Sequence, residues 1–162
     1  MSRHVVFGTG QVGRPLVEQL VALGHDVVAV NRSGRGNLPG ARVVGGSATD
    51  ATFTSSLCQG ADVVYFCLNA TNYALWEQEF PPLQRGVLAG AASAGARLVV
   101  LDNLYAYGPP KGRALVETMV ASPTSAKAAT RAAMTGELLR AHERGDVQVA
   151  IGRASDYFGP AP

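Results

Sequence analysis

Short apolar runs alternate along the chain with stretches in which apolar residues recur every three or four positions. Val5-Val6-Phe7 runs straight into glycines, as a buried parallel strand does. Val12, Leu16, Leu20 and Leu23 then keep helical spacing, and Gly24 stops the helix. Residues 26–30 predict a second strand, and the Gly, Ser, Arg and Pro content of residues 33–40 predicts a loop. Arg42-Val43-Val44 is a brief third strand, and Asp50 can cap a short helix that reaches about Cys58. Residues 62–67 form a fourth strand. Residues 73–94 predict a helix, interrupted near Pro81-Pro82. Residues 97–101 make a fifth strand, followed by a long loop over 103–123. Thr124 or Ser125 caps a last helix to about Arg144, with Met134, Leu138 and Leu139 as its buried stripe, and residues 147–151 make a sixth strand.

This alternation predicts an α/β fold: a Rossmann-type, doubly wound parallel sheet of about six strands with helices on both faces, spanning residues 1–162 as one domain. In such a sheet ligands sit beyond the carboxyl ends of the strands, where strand order reverses. The loops after strands one, two, four and five are therefore the places for chemistry. Composition narrows the function. With 47% apolar and 16% charged residues the chain is globular. A net charge of +2, with scattered arginines, gives no field for nucleic acid. No apolar stretch approaches the roughly 20 residues of a membrane span. The N-terminus enters a strand at once without signal-peptide architecture, so a cytoplasmic location is expected. Cys58 and Cys67 are not closely spaced, which argues against a disulfide framework and against a metal site.

Gly8-Thr9-Gly10-Gln11-Val12-Gly13 follows a strand and opens a helix, the context a dinucleotide-binding glycine loop requires. Its first glycine allows the tight turn, its second lets backbone approach a pyrophosphate, and its third lets helix and strand pack closely. The helix N-terminus offers unpaired N–H groups to the anion. The second strand ends Asn31-Arg32-Ser33, where an NAD-preferring site would place a carboxylate. Asn31 carries no charge to repel a 2′-phosphate, Arg32 can meet it as a fork, and Ser33 can donate one more bond. NADP is the expected cofactor, with NAD the alternative.

Four stretches carry a family resemblance: Gly8-x-Gly10-x-x-Gly13, Gly46-Ser47-Ala48-Thr49-Asp50, Asp102-Asn103-Leu104-Tyr105-Ala106-Tyr107-Gly108, and Arg153-Ala154-Ser155-Asp156-Tyr157-Phe158-Gly159-Pro160. In that order they resemble the extended and atypical short-chain dehydrogenase/reductases, specifically the NAD-dependent epimerase/dehydratase family. The resemblance implies that Ser47 and Ala48 lie at the adenine edge, with Ser47 where the family usually has Asp. It implies that Leu68, Asn69 and Ala70 pass the cofactor's pyrophosphate and ribose. It also implies a catalytic set, and here the chain departs. The family uses Ser or Thr after the fifth strand and then Tyr-x-x-x-Lys. Lys127 stands at the lysine position, Pro123 at the tyrosine position and Asn103 at the serine position. Lys127 is expected to bind the nicotinamide ribose and supply positive charge. Tyr105, two residues after Asn103, is the substitute proton carrier if that segment stays extended, with Asn103 orienting; Tyr107 is expected to pack. His4, His25 and His142 fall at no carboxyl end and are expected to be structural or solvated.

The family continues past its Tyr-Gly-Pro ending into a smaller substrate-binding domain, which is expected to lie outside these 162 residues. The surface facing it is expected to be exposed or covered by a second copy, giving a homo-oligomer. Two functions stay open at this point. One is an NADP-dependent epimerase, dehydratase or reductase acting on a sugar nucleotide or another small carbonyl compound. The other is a non-catalytic dinucleotide-binding sensor or scaffold.

Overall fold

The computed structural model describes residues 1–155. Its six strands are β1 (Arg3–Phe7), β2 (Asp26–Asn31), β3 (Arg42–Gly45), β4 (Val63–Phe66), β5 (Arg97–Asn103) and β6 (Val149–Ala154). They form one sheet in the order β3-β2-β1-β4-β5-β6, and every neighbouring pair is parallel. Strand order reverses between β1 and β4, where Val6 lies between Ala29 of β2 and Tyr65 of β4. The central strands read as unbroken apolar runs because they are covered on both faces: Val5, Val6, Phe7, Val27 and Val28 are all buried.

Helices form the two covers. α1 (Gly13–Ala22) lies on one face, where Val17 and Leu20 pack on Val6, Val27 and Ala29 together with Leu38 from the β2–β3 loop. α2 (Ala51–Cys58), α3 (Trp76–Ala94) and α4 (Ala126–Glu143) share the other face, where Phe80, Val87, Met134 and Leu138 meet Phe7, Phe66, Leu98 and Val100. Each such side chain contributes about 1.5–3 kcal/mol by leaving water. The two layers hold the strand ends, and hence the loops beyond them, in fixed positions.

Three expectations are corrected. Leu23 lies past the end of α1 and is 71% exposed, and the buried positions are Gly13, Val17 and Leu20. Pro81 and Pro82 do not interrupt α3, which is continuous and preceded by a 3-10 turn, Tyr73–Leu75. The prolines remove two ladder donors, but burial of Trp76, Phe80, Val87 and Ala91 along one side of the helix holds the turn together. Leu139 is 45% exposed; the stripe of α4 is Ala128, Arg131, Met134, Leu138 and Ala141. Ser125, not Thr124, caps that helix, its Oγ accepting from the Ala128 N–H at 3.2 Å. Residues 156–160 of the terminal motif lie outside the described residues.

Candidate functional site

A cleft of about 970 Å³ opens at the carboxyl ends of the strands, over the β1/β4 reversal. The loops after β1 to β5 line it. The three glycines of the first loop divide their tasks. Gly8 has φ +105°, and a Cβ there would stand 2.5 Å from the Cys67 carbonyl oxygen. A Cβ on Gly13 would collide with the Gly8 carbonyl oxygen. A Cβ on Gly10 would meet nothing within 4 Å, because it would project into the cleft. The following helix has no side-chain cap and no acid in its first turn; its Arg14 N–H is taken by the Gly10 carbonyl at 3.0 Å and Pro15 has none, so the donors that can face an anion are those of the loop ahead of Arg14. Thr9, Gln11 and Val12 line the cleft beside them; Gly13 lies behind, as its packing task requires.

The second loop is built on one amide. Asn31 Oδ1 accepts from the Ser33 N–H, the Ser33 hydroxyl and the Gly34 N–H at 3.1, 3.1 and 2.8 Å. Its Nδ2 donates to Thr9 Oγ1 and to the Arg35 carbonyl. Asn31 therefore shapes the loop as well as lining the cleft, while Ser33 is engaged within the turn and is not part of the cleft wall. Arg32 is an exposed wall residue, and among the described residues it has no ion-pair partner. Ser47 and Ala48 continue this wall, the Ser47 hydroxyl 2.8 Å from that of Thr49. Opposite stand Leu68 and Asn69, with Asn69 Oδ1 accepting from Trp76 Nε1 at 3.1 Å. Ala70 is buried behind them in the core. Burial pushes the Cys67 thiol up to about 11, so this wall residue is a neutral thiol at physiological pH.

At the inner end, β5 delivers Asp102 and Asn103. Asn103 Oδ1 accepts from the Tyr105 N–H at 3.1 Å, and the chain turns into a 3-10 turn, Tyr105–Tyr107. The segment is thus not extended, which corrects the expected geometry, yet Tyr105 still lines the cleft, its ring 6.1 Å from that of Trp76. Tyr107 is buried, and its hydroxyl accepts from Arg153 Nη1 at 2.9 Å, a packing arrangement. Lys127 sits half-buried in the first turn of α4, outside the set of cleft-lining residues. His4 and His25 meet at the opposite end of the sheet through Ser2 Oγ, at 2.7 and 2.9 Å.

Comparison with known families decides what such a cleft is for. Residues 8–142 match the model of the NAD(P)H-binding family. The chain belongs to this family. A search of curated proteins returned no match. Among solved structures, this NAD(P)-binding domain superposes on DesIV, the dTDP-glucose 4,6-dehydratase of Streptomyces venezuelae with NAD and TYD bound, with a TM-score of 0.85 at 22% identity, covering 98% of this chain and 57% of that one. The UDP-N-acetylglucosamine 4-epimerase of Methanobrevibacter ruminantium M1 gives 0.85 at 18% identity, covering 98% and 56%. A UDP-galactose 4-epimerase gives 0.80 at 25% identity, covering 93% and 55%. The domain spans just over half the length of each. The likeness to the epimerase/dehydratase proteins is borne out in the fold.

The sequence reading of this NAD(P)-binding domain missed one cluster. Asp102, 2% exposed, accepts from Arg131 Nε at 2.8 Å and from Arg131 Nη2 on Oδ1, and from Thr135 Oγ1 (3.0 Å) and Arg153 Nε (3.3 Å) on Oδ2. Its Oδ1 also receives the Asn103 N–H at 2.8 Å. The Arg131 guanidinium lies 4.5 Å from the Phe80 ring centroid. Two signals pointed to it: a lone acid after the apolar run Leu98-Val99-Val100-Leu101, and an arginine in register with Met134 and Leu138. A buried charge implies a buried partner.

Proposed function

We propose that the cleft binds NADP(H) in preference to NAD(H), and that this domain is the cofactor-holding part of an epimerase-, dehydratase- or reductase-like enzyme for a sugar nucleotide or another small carbonyl compound. The observation that carries dinucleotide binding is the contrast among the glycines: Gly8 and Gly13 are closed in by backbone, whereas Gly10 faces open space where a pyrophosphate would lie; the exposed Arg32 in the cleft wall supports the preference for NADP(H). Gly8 to Val12 would hold that pyrophosphate, Asn31 and Arg32 the 2′-phosphate end with Ser33 shaping their turn, Ser47 and Ala48 the adenine edge, and Leu68 and Asn69 the ribose side with Ala70 packed behind them. A nicotinamide bound there supplies hydride acceptance and donation. Tyr105 is the proton carrier and Asn103 its orienting neighbour, and Lys127, in the first turn of α4 outside the cleft lining, would contribute positive charge to this end of the domain. The names of the matched dehydratase and epimerases support a sugar nucleotide as substrate.

Pro123, exposed ahead of α4 where the family has its tyrosine, favours a second reading, a binding module without turnover. Calorimetric titration of the chain with NADPH and NADH tests the first claim: NADPH is expected to bind more tightly. Following NADPH absorbance against sugar nucleotides, aldehydes and ketones then separates the two readings. Saturable turnover on any of them selects the enzyme, and tight binding with none selects the module.

A further inference from the structure

We infer that the inner end of the cleft is a recognition site for an organic carboxylate, with Nη1 of Arg131 as its donor. This rests on the cofactor reading only in that both ligands share one cleft. Arg131 lines the cleft although only 3% of it is exposed. Its guanidinium is fixed: Nε and Nη2 are taken by Asp102, and Nη2 also reaches the Leu101 carbonyl at 3.4 Å. Nη1 is buried and has no hydrogen-bond partner. A buried donor left unmet costs about 1–3 kcal/mol, and more when it is charged. Such a group in a native protein calls for an explanation, and a ligand that completes it is one.

The surroundings select the ligand. Trp76, Phe80, Leu83 and Tyr105 give this end an aromatic and aliphatic wall, with Asp102 and Asn103 as polar members beside Arg131. Two guanidiniums, Arg131 and Arg153, converge on the carboxylate of Asp102. A planar monoanion matches one orphaned guanidinium nitrogen in an aromatic slot. A phosphate dianion would carry more acceptors than this end can satisfy. The substrate of this domain would then bear a carboxylate as its anchoring group.

The probe is acetate, with acetamide and inorganic phosphate as comparisons, added to the full chain with and without NADPH. Two signals are read: fluorescence of Trp76, the chain's one tryptophan, and the ¹⁵N resonances of the Arg131 guanidinium. Acetate is expected to shift both saturably, at least tenfold more tightly than acetamide or phosphate. Arg131→Lys should abolish the preference for acetate over acetamide while NADPH affinity holds. An Arg131 resonance indifferent to acetate in the wild-type protein overturns the inference, whether or not the lysine variant folds. Equal half-saturation by acetamide, or tighter binding of phosphate, overturns it too. NADPH binding without an acetate response sinks this inference alone; an acetate response without NADPH binding sinks only the cofactor reading.

Discussion

The side-chain amide of Asn31 donates to Thr9 Oγ1 across 3.1 Å, tying the end of β2 to the glycine loop after β1. The same amide organises the turn that follows, so Arg32 leaves the sheet from a backbone held at both sides. A preorganised arginine loses less freedom when it meets a phosphate. A charged hydrogen bond is worth about 1.5–3 kcal/mol, which is roughly ten- to hundredfold in affinity. Arg32→Ala should weaken NADPH binding by about that factor and leave NADH nearly unchanged. Equal losses for both cofactors in calorimetric titrations would refute the assignment.

Gly10 supplies the second test. Because a Cβ there projects into open cleft, Gly10→Val should fold normally while its side chain occupies the pyrophosphate's space. Binding of both cofactors should collapse with the circular dichroism spectrum and melting temperature preserved. Gly13→Val makes the contrast: its side chain would strike the Gly8 carbonyl, so stability itself should fall. A Gly10→Val protein that binds with unchanged affinity would remove the glycine loop from the site.

Local rules made much of this legible in advance. The glycine loop could be placed because its spacing, the strand before it and the helix after it all agree. The parallel sheet with helices on both faces followed from the alternation of strands and helices. What escaped depended on tertiary contacts. The prolines of α3 read as a break because local propensity knows nothing of Trp76 and Phe80 packed beneath them. Leu139 read as buried because its neighbour is; Arg131 occupies the buried stripe through its pairing with Asp102, 29 residues earlier. The turn at Tyr105 depends on a single side-chain contact from Asn103, which periodicity does not encode.

That buried pairing makes a stability prediction. Removing one partner of a buried ion pair costs about 3–5 kcal/mol, because the other charge stays behind. Asp102→Ala leaves two guanidiniums without their shared carboxylate. At about 2–4 °C per kcal/mol for a chain of this size, its melting temperature should drop by roughly 6–20 °C. Glu137→Ala, which breaks the exposed pair with Arg85, should cost less than about 1 kcal/mol. Comparable losses in the two variants would contradict the structural weight given to Asp102.

Acid stability reads out the opposite end of the sheet. Burial, and then the neighbouring His25, hold the His4 imidazole below its ordinary value, with Asp62 opposing. Nδ1 of His4 lies 3.1 Å from the Tyr65 hydroxyl. The unfolded chain therefore takes up the proton first as pH falls. The stability contributed by neutral His4 is present above about 6.5 and is lost as pH drops from there towards the lowered folded value. Melting temperature should decline between pH 7.5 and 5.5, and His4→Gln should flatten that decline. Parallel curves for the two proteins would assign the acid sensitivity to other groups.

The catalytic proposal turns on two tyrosines two residues apart. Tyr105 is 45% exposed and lines the cleft, and its backbone is held by Asn103. Tyr107 is buried, and its hydroxyl is held by Arg153. Removing each hydroxyl therefore separates chemistry from packing. In a form of the enzyme with measurable turnover, Tyr105→Phe should lower kcat by about 10²- to 10⁴-fold, the usual worth of a general acid or base, with NADPH affinity unchanged. Tyr107→Phe leaves the Arg153 Nη1 donor short of an acceptor, so it should cost about 1 kcal/mol of stability and little turnover. The pH profile adds a signature a packing role lacks: the alkaline or acid limb set by Tyr105 should vanish in Tyr105→Phe and persist in Tyr107→Phe. A fully active Tyr105→Phe enzyme would strike Tyr105 from the mechanism and leave the proton to a group beyond β5.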